Sequence, residues 1–555
     1  MNRLLTAALL LSFAACHDAR EDYDLVLRGG TVVDGSGAPG VAGDVAISGD
    51  RIVAVGSVPG HGKAEIDARG LVVAPGFIDL HSHSDYLLLE DGDAQSKIRQ
   101  GVTTEVFGEE SSGGPSKGKL KPKKMSGDGE GNGEWETLGG YFAALERSRI
   151  SVNVASYVGQ GNVWRCVMGD SYERPTPAQI GEMKTLVAEA MQDGALGLST
   201  MLASGPGFLA TTDDLVELCR EVKKHGGIYS THQRNEGLNV LESVKEAIAI
   251  GERAGVPVDI IHLKIADRQN WGKMKDIVAL IEDARRRGVN VQANVYPYTR
   301  GNNNLVTILP PWAHEGGVDK LLARLKDPAE RARMKKDIQA GIPGWYDHYT
   351  AVGGDWSRML VNGNLSPKNR AAEGRTMDVV LAARNATADP IEGMFDFLIE
   401  ENGSIPTIYA HHTEEDMTLA LSQPWCSIGS DGLAHAIEGP LRRGRPHPRS
   451  FGTFPRVLGV YAREKKLLTL EDAVRKMTSL NAAKIGLKDR GLVRPGAFAD
   501  LVLFDAARVI DRATYLDPFQ YPEGIEVVIV NGAVTVDHGR HTGARAGRVL
   551  RHGRD

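Results

Sequence analysis

Short apolar runs alternate with amphipathic stretches through the middle of the chain. Runs that fit buried strands fall at 77–80, 102–107, 152–157, 195–199, 228–231, 258–261, 290–295 and 427–430. Helical periodicity fills several of the gaps, at 177–193, 213–225, 240–254 and 273–287. Eight strands with helical crossovers predict an α/β fold, a (β/α)₈ TIM barrel, over residues 74–487. Two insertions interrupt it. Residues 111–135 are rich in Gly, Ser and Lys and read as a mobile loop, and 297–425 lie between the last two strands and read as a lid.

The ends of the chain have a different texture. Residues 24–73 and 498–535 are short β-runs broken by glycine, which predicts one small β-sandwich domain formed from both termini, 21–73 with 488–550. Ahead of it, Arg3 precedes an apolar run over 4–13 that is too short to span a bilayer, and Ala14-Ala15-Cys16 follows. This resembles a bacterial lipobox, with Phe13 where Leu is usual. Residues 1–20 are therefore read as a signal and linker, with export to the periplasm or anchoring to a bacterial membrane through a lipidated Cys16. A plain secretory signal is the alternative.

Composition narrows the picture only slightly. Of 555 residues, 65 are Lys or Arg and 71 Asp or Glu, a net charge of −6, so nothing argues for a nucleic-acid partner. The cysteines Cys16, Cys166, Cys219 and Cys426 show no CxxC and imply no disulfide framework.

The chemistry collects at predicted strand ends. His81-Ser82-His83 follows the first strand, and positions i and i+2 of an extended chain point the same way, so both imidazoles can meet one metal ion. His232, His262 and Asp431 fall at the ends of three other strands, on the face where barrel enzymes gather their catalytic groups. Lys264 shares a face with His262 if the strand continues, and Arg449 carries a fork suited to a carboxylate.

With these residues in place the chain resembles the amidohydrolase superfamily, and within it the N-acyl-D-amino-acid deacylases, from about 24 to 535. The resemblance rests on Pro75-Gly76-Phe77-Ile78-Asp79-Leu80-His81-Ser82-His83, Gly101-Val102-Thr103-Thr104, Gly194-Ala195-Leu196-Gly197-Leu198-Ser199-Thr200, Tyr296-Pro297-Tyr298 and Ser430-Asp431-Gly432. Its most specific stretch runs from His447-Pro448-Arg449-Ser450 to Gly459. It implies zinc, one or two ions, with His81, His83 and Asp431 on one side and His232 and His262 on the other. Deacylases of this type often place a bridging Cys after the second strand. Here Gly108-Glu109-Glu110-Ser111 stands there, which favours Glu110 as the bridge, with Glu109 as the other register. Asp431 would serve as general base and acid, and Lys264, Tyr296 and Arg449 would bind substrate.

The resemblance implies hydrolysis of a linear amide, foremost an N-acyl-D-amino acid or a D-residue dipeptide. The alternatives are a cyclic-amide hydrolase or deaminase on the same scaffold, or a lipid-anchored binding protein without activity. Departures from the family fall around the site: Gln160 where His is frequent, a missing Tyr in 201–207, and the polar run Arg300-Gly301-Asn302-Asn303-Asn304. His411-His412 is left outside an already complete ligand set.

Overall fold

The computed structural model describes residues 21–122 and 135–554. The expected signal and Cys16 lie outside the described residues, as does 123–134 of the expected loop. Among the described residues no helix is long and apolar enough to cross a membrane.

All eight expected barrel strands form. They are Phe77–Asp79, Val102–Phe107, Asn153–Ser156 (continued by Val158–Gly159), Gly197–Met201, Ile228–His232, Val258–Ile260, Val291–Val295 and Cys426–Ile428. Each pairs in parallel with the next. Backbone bonds just past the first and last strands close the ring, Asp431 N–H to His81 O at 2.8 Å and His83 N–H to Gly432 O at 3.0 Å. The chain thus builds a closed (β/α)₈ barrel.

Local chemistry sets the crossovers. Helix Pro177–Asp193 starts with a reciprocal cap between Thr176 and Gln179, carries Pro177 in its first turn, and stops at Gly194 with φ 111°. Helix Thr212–Lys224 starts with the same kind of cap between Thr211 and Asp214. Each cap contributes about 0.5–2 kcal/mol and fixes where a helix begins. The strands are buried on both faces, so charges on them must be paired. Lys97 Nζ meets Asp79 Oδ2 at 2.8 Å, and Lys484 Nζ meets Asp259 Oδ1 at 2.7 Å, with all four side chains fully buried.

The terminal segments build a single continuous sheet of nine strands rather than two separate ones. Leu501–Phe504 joins the halves by pairing antiparallel with Val72–Pro75. Leu25, Leu27, Val45 and Ile47 of one half share an apolar cluster with Leu501, Leu503, Val527 and Ile529 of the other. The alternate residues Val502, Phe504, Val528 and Val530 belong to the barrel's cluster, so this sheet is welded to the barrel. The end of the expected terminal domain leaves the sheet: Val549 bridges Val154 of the third barrel strand.

Both insertions carry ordered structure among the described residues. Within 297–425 a three-stranded antiparallel sheet, Gly301–Asn304, Pro406–Tyr409 and Met359–Val361, packs with helices around its own core of Leu305, Leu325, Met334, Phe395 and Phe397. The start of 111–135 is buried rather than loose. Asn162 Nδ2 donates to Ser112 O at 3.1 Å and Pro115 O at 2.8 Å. A Cβ at Gly113 would meet the Tyr141 ring at 2.2 Å, so only glycine fits there.

Candidate metal centre

Four imidazoles and two carboxylates converge at the C-terminal mouth of the barrel. The first strand delivers His81 and His83, the fifth ends on His232, the sixth is followed by His262 and the eighth by Asp431. His262 (φ 38°) and Asp431 (φ 51°) hold left-handed backbone, which disfavours non-glycine residues by about 1–3 kcal/mol. The fold secures both: His262 N–H donates to Asn294 Oδ1 at 3.0 Å, and Asp431 N–H to His81 O at 2.8 Å. Beneath them Ser430 donates twice to Asp79, at 2.7 Å and 2.5 Å, tying the eighth strand to the first.

Glu109 stands at the centre. Its Oε2 lies 2.6 Å from His81 Nε2 and 3.1 Å from His83 Nε2, and its Oε1 lies 3.2 Å from His232 Nδ1 and 3.7 Å from His262 Nε2. Asp431 Oδ1 completes the first group, 3.1 Å from His83 Nε2 and 3.9 Å from His81 Nε2. Two donor groups therefore share one carboxylate: His81, His83, Glu109 and Asp431, and Glu109, His232 and His262. Imidazole nitrogens and carboxylate oxygens are donors that zinc accepts, and their spacing fits one or two such ions.

The expected bridge, Glu110, is not in either group. Gly108 (φ 96°) and Glu110 (φ 51°) flank Glu109 with left-handed backbone. This turn carries Glu109 over the barrel mouth and sends Glu110 to Arg165, 3.5 Å away. Alternation counted along an extended strand cannot foresee such a turn.

The electrostatics follow from burial and proximity. Burial alone would raise the Glu109 carboxyl, but His81, His232 and His262 hold it well below the usual carboxylate range. Burial opposes a charge on His83, yet Asp431 and Glu109 bring its imidazole up to about 10. Burial pushes the Glu110 carboxyl up to about 7, with Arg165 pulling the other way.

The three substrate-binding candidates line a cavity of about 550 Å³ beside this cluster. Arg449, expected to clamp a substrate carboxylate, has its fork on Asp431: Nη1 to Oδ2 at 2.7 Å and Nη2 to Oδ1 at 3.0 Å. It opens the helix Arg449–Arg456, which brings it to the eighth strand's end. Lys264 Nζ meets Glu236 Oε1 at 2.6 Å and His262 Nδ1 at 2.7 Å. The Tyr296 hydroxyl is buried without a hydrogen-bond partner among the described residues, and the Arg449 guanidinium sits 4.9 Å from its ring centre. Sequence reasoning missed Glu236, which orients His262 at 3.1 Å and lies 3.8 Å from His232. Its place four residues after His232 was the available signal.

Comparison with known proteins places this geometry in context. The model of a family described as the amidohydrolase family matches residues 64–536. A D-aminoacylase of Alcaligenes xylosoxydans xylosoxydans is 36% identical over 539 residues, 96% of this chain and 98% of that protein. A solved D-aminoacylase structure, reported for its binuclear metal centre with one-metal activation and second-metal attenuation, superposes with a TM-score of 0.77. It shares 36% identity and covers 95% of this chain and 100% of that one. The N-acyl-D-glutamate deacylase of Bordetella bronchiseptica, solved with zinc and a phosphonate mimic of the tetrahedral intermediate, gives 0.76 at 31% identity. It covers 95% and 99%.

Proposed function

Because the chain belongs to the amidohydrolase family, we propose that it hydrolyses the amide bond of N-acyl-D-amino acids at a zinc centre held by His81, His83, Glu109, His232, His262 and Asp431. The observation that carries this reading is the placement of Glu109, one carboxylate shared between two groups of donors at a barrel mouth. The D-aminoacylase and the zinc-bound D-glutamate deacylase, both matched over nearly their whole length, support it.

When bound, zinc supplies Lewis acidity that polarises the scissile carbonyl and makes water a competent nucleophile near neutral pH. The chain's own groups do the rest. Asp431 takes a proton from the attacking water and returns it to the leaving nitrogen. Arg449 holds Asp431 by both oxygens, so the base keeps one orientation and stays ionised despite its burial. Glu236 accepts from His262 Nδ1 and fixes the ring from behind, and Lys264 holds Glu236 in turn. The Tyr296 hydroxyl is buried at the cavity wall with no hydrogen-bond partner among the described residues, which leaves its proton to a substrate carboxylate, and Lys264 lies 5.8 Å from the same ring.

A screen of N-acetyl D- and L-amino acids, hydantoins and dihydropyrimidines, with metal content measured on the same preparation, tests the proposal. Zinc-dependent release of acetate from D-substrates is expected. Activity confined to the cyclic amides, or undiminished in metal-free protein, would overturn it.

Export and lipid anchoring through Cys16 complete the proposal, supported by the apolar run at 4–13 and Ala14-Ala15 before Cys16. Mass spectrometry of the protein from a bacterial membrane fraction should find a mature chain that begins at a lipid-modified Cys16. A mature N-terminus elsewhere rules out the anchor.

A further inference from the structure

The lobe between the last two barrel strands contributes His348, His411 and Asn302 to the cavity wall. None has a part in the chemistry above. Counting protons fixes what the two histidines present. Thr307 Oγ1 donates to Asn304 O at 2.6 Å, so its proton is committed, and His348 Nδ1, 3.1 Å from the same oxygen, must be the donor. His412 Nε2 lies 2.8 Å from the Tyr298 carbonyl, which only accepts, so that nitrogen bears the proton. His412 Nδ1 is then an acceptor in the neutral ring, and His411 Nδ1, 3.0 Å away, donates to it. Burial keeps both wall histidines neutral, holding His348 down at about 3 and His411 well below its ordinary value.

His348 and His411 thus each carry the proton on Nδ1 and leave Nε2 as a bare lone pair with no partner among the described residues. The two rings lie 5.7 Å apart. Asn302 adds a buried amide oxygen that also lacks a partner. Gly301 makes the arrangement possible: a Cβ there would press on the His411 ring at 2.7 Å. The wall is a set of acceptors awaiting donors. Among the described residues lining the cavity, the cations Lys264 and Arg449 are already committed to Glu236 and Asp431.

We propose that His348, His411 and Asn302 form the specificity pocket, and that it selects a substrate arm bearing an uncharged N–H or O–H donor over a carboxylate or an alkyl arm. This rests on the deacylation reading. A carboxylate would set lone pairs against lone pairs with no free cation to meet it. An alkyl arm would displace water from the two imidazole lone pairs and replace none of the bonds, which costs affinity. The same chemistry suits an amide or hydroxyl on the amino-acid side chain and a hydroxyl on the acyl group, so the experiment must separate the two.

Two isosteric series do so. The first is N-acetyl-D-asparagine, N-acetyl-D-aspartate and N-acetyl-D-leucine, which vary the side chain. The second is N-glycolyl-D-alanine and N-propionyl-D-alanine, which vary the acyl group. In one series the donor-bearing member should exceed its isosteres about tenfold in kcat/KM. In His348→Phe, His411→Phe and Gly301→Ala that ratio should shrink roughly fivefold or more. Calorimetric binding of both series to the chelator-treated protein, in which Arg449 keeps its partner Asp431, gives the same preference without turnover. If no N-acyl-D-amino acid is hydrolysed by the zinc-loaded enzyme, the deacylation reading fails while binding still decides the pocket's preference. Equal or better performance by the carboxylate or alkyl member in both series, or ratios unmoved by all three substitutions, overturns the proposal.

Discussion

Arg449 holds Asp431 through two parallel hydrogen bonds, at 2.7 Å and 3.0 Å, and both side chains are buried. That pairing changes what Arg449 does. Its fork, suited to a carboxylate, is filled by the protein's own carboxylate, so its loss should be felt through the base.

Arg449→Met should therefore lower kcat/KM about ten- to a hundredfold, the worth of a charge-assisted contact of roughly 1.5–3 kcal/mol. The loss should be equal for an N-acyl amino acid and its carboxamide, whereas a clamp on substrate would spare the carboxamide. The pH profile adds a second readout. Burial raises the Asp431 carboxyl and Arg449 is the strongest group lowering it. Without the guanidinium the base stays protonated to higher pH, so the acid limb should move upward. An unmoved acid limb together with a loss confined to the free acid would return Arg449 to the clamp role.

Glu109 and Glu110 separate by metal content. Glu109→Ala removes the carboxylate common to both donor groups and should lower bound zinc as well as rate, while Glu110→Ala should leave stoichiometry intact. Elemental analysis of the two purified variants checks this. Metal loss in Glu110→Ala alone would mean that the turn at 108–111 is set differently from the geometry described.

The contrast between these neighbours shows what the chain's pattern reveals. All eight barrel strands and the placement of His81, His83, His232, His262 and Asp431 at strand ends follow from apolar runs and alternation, because those signals are local. The register at 109–110 depends on left-handed backbone at Gly108 and Glu110 on either side of Glu109, and the partner of Arg449 on contact across 18 residues of irregular chain. Neither leaves a periodic trace. The lobe at 297–425 was legible only as an excess of length, since its three short strands pair antiparallel across separations of about a hundred and about fifty residues.

Under the site, Lys97 and Asp79 form a fully buried pair that also holds Ser430. Lys97→Met leaves Asp79 charged without its cation, a change that costs about 3–5 kcal/mol. Lys97→Met with Asp79→Leu removes both charges and should recover part of that loss. Urea unfolding of the three proteins gives the comparison. A single variant as stable as the parent would show that the pair contributes little.

Tyr296 allows stability and recognition to be separated at one atom. Its hydroxyl is buried in the cavity wall with no hydrogen-bond partner among the described residues, an arrangement that is unfavourable in the free protein. If the group were merely structural, Tyr296→Phe would be neutral or stabilising and would leave catalysis alone. If it donates to the substrate carboxylate, the same change should keep or raise stability while raising KM for N-acyl amino acids about tenfold, the worth of one hydrogen bond to a charged group. The corresponding carboxamides should be much less affected, and kcat should change little because the contact exists before and during reaction alike. Thermal unfolding and steady-state kinetics on the acid and amide pair measure both quantities. An unchanged KM for the free acids, whatever the change in stability, would show that the hydroxyl does not meet the substrate.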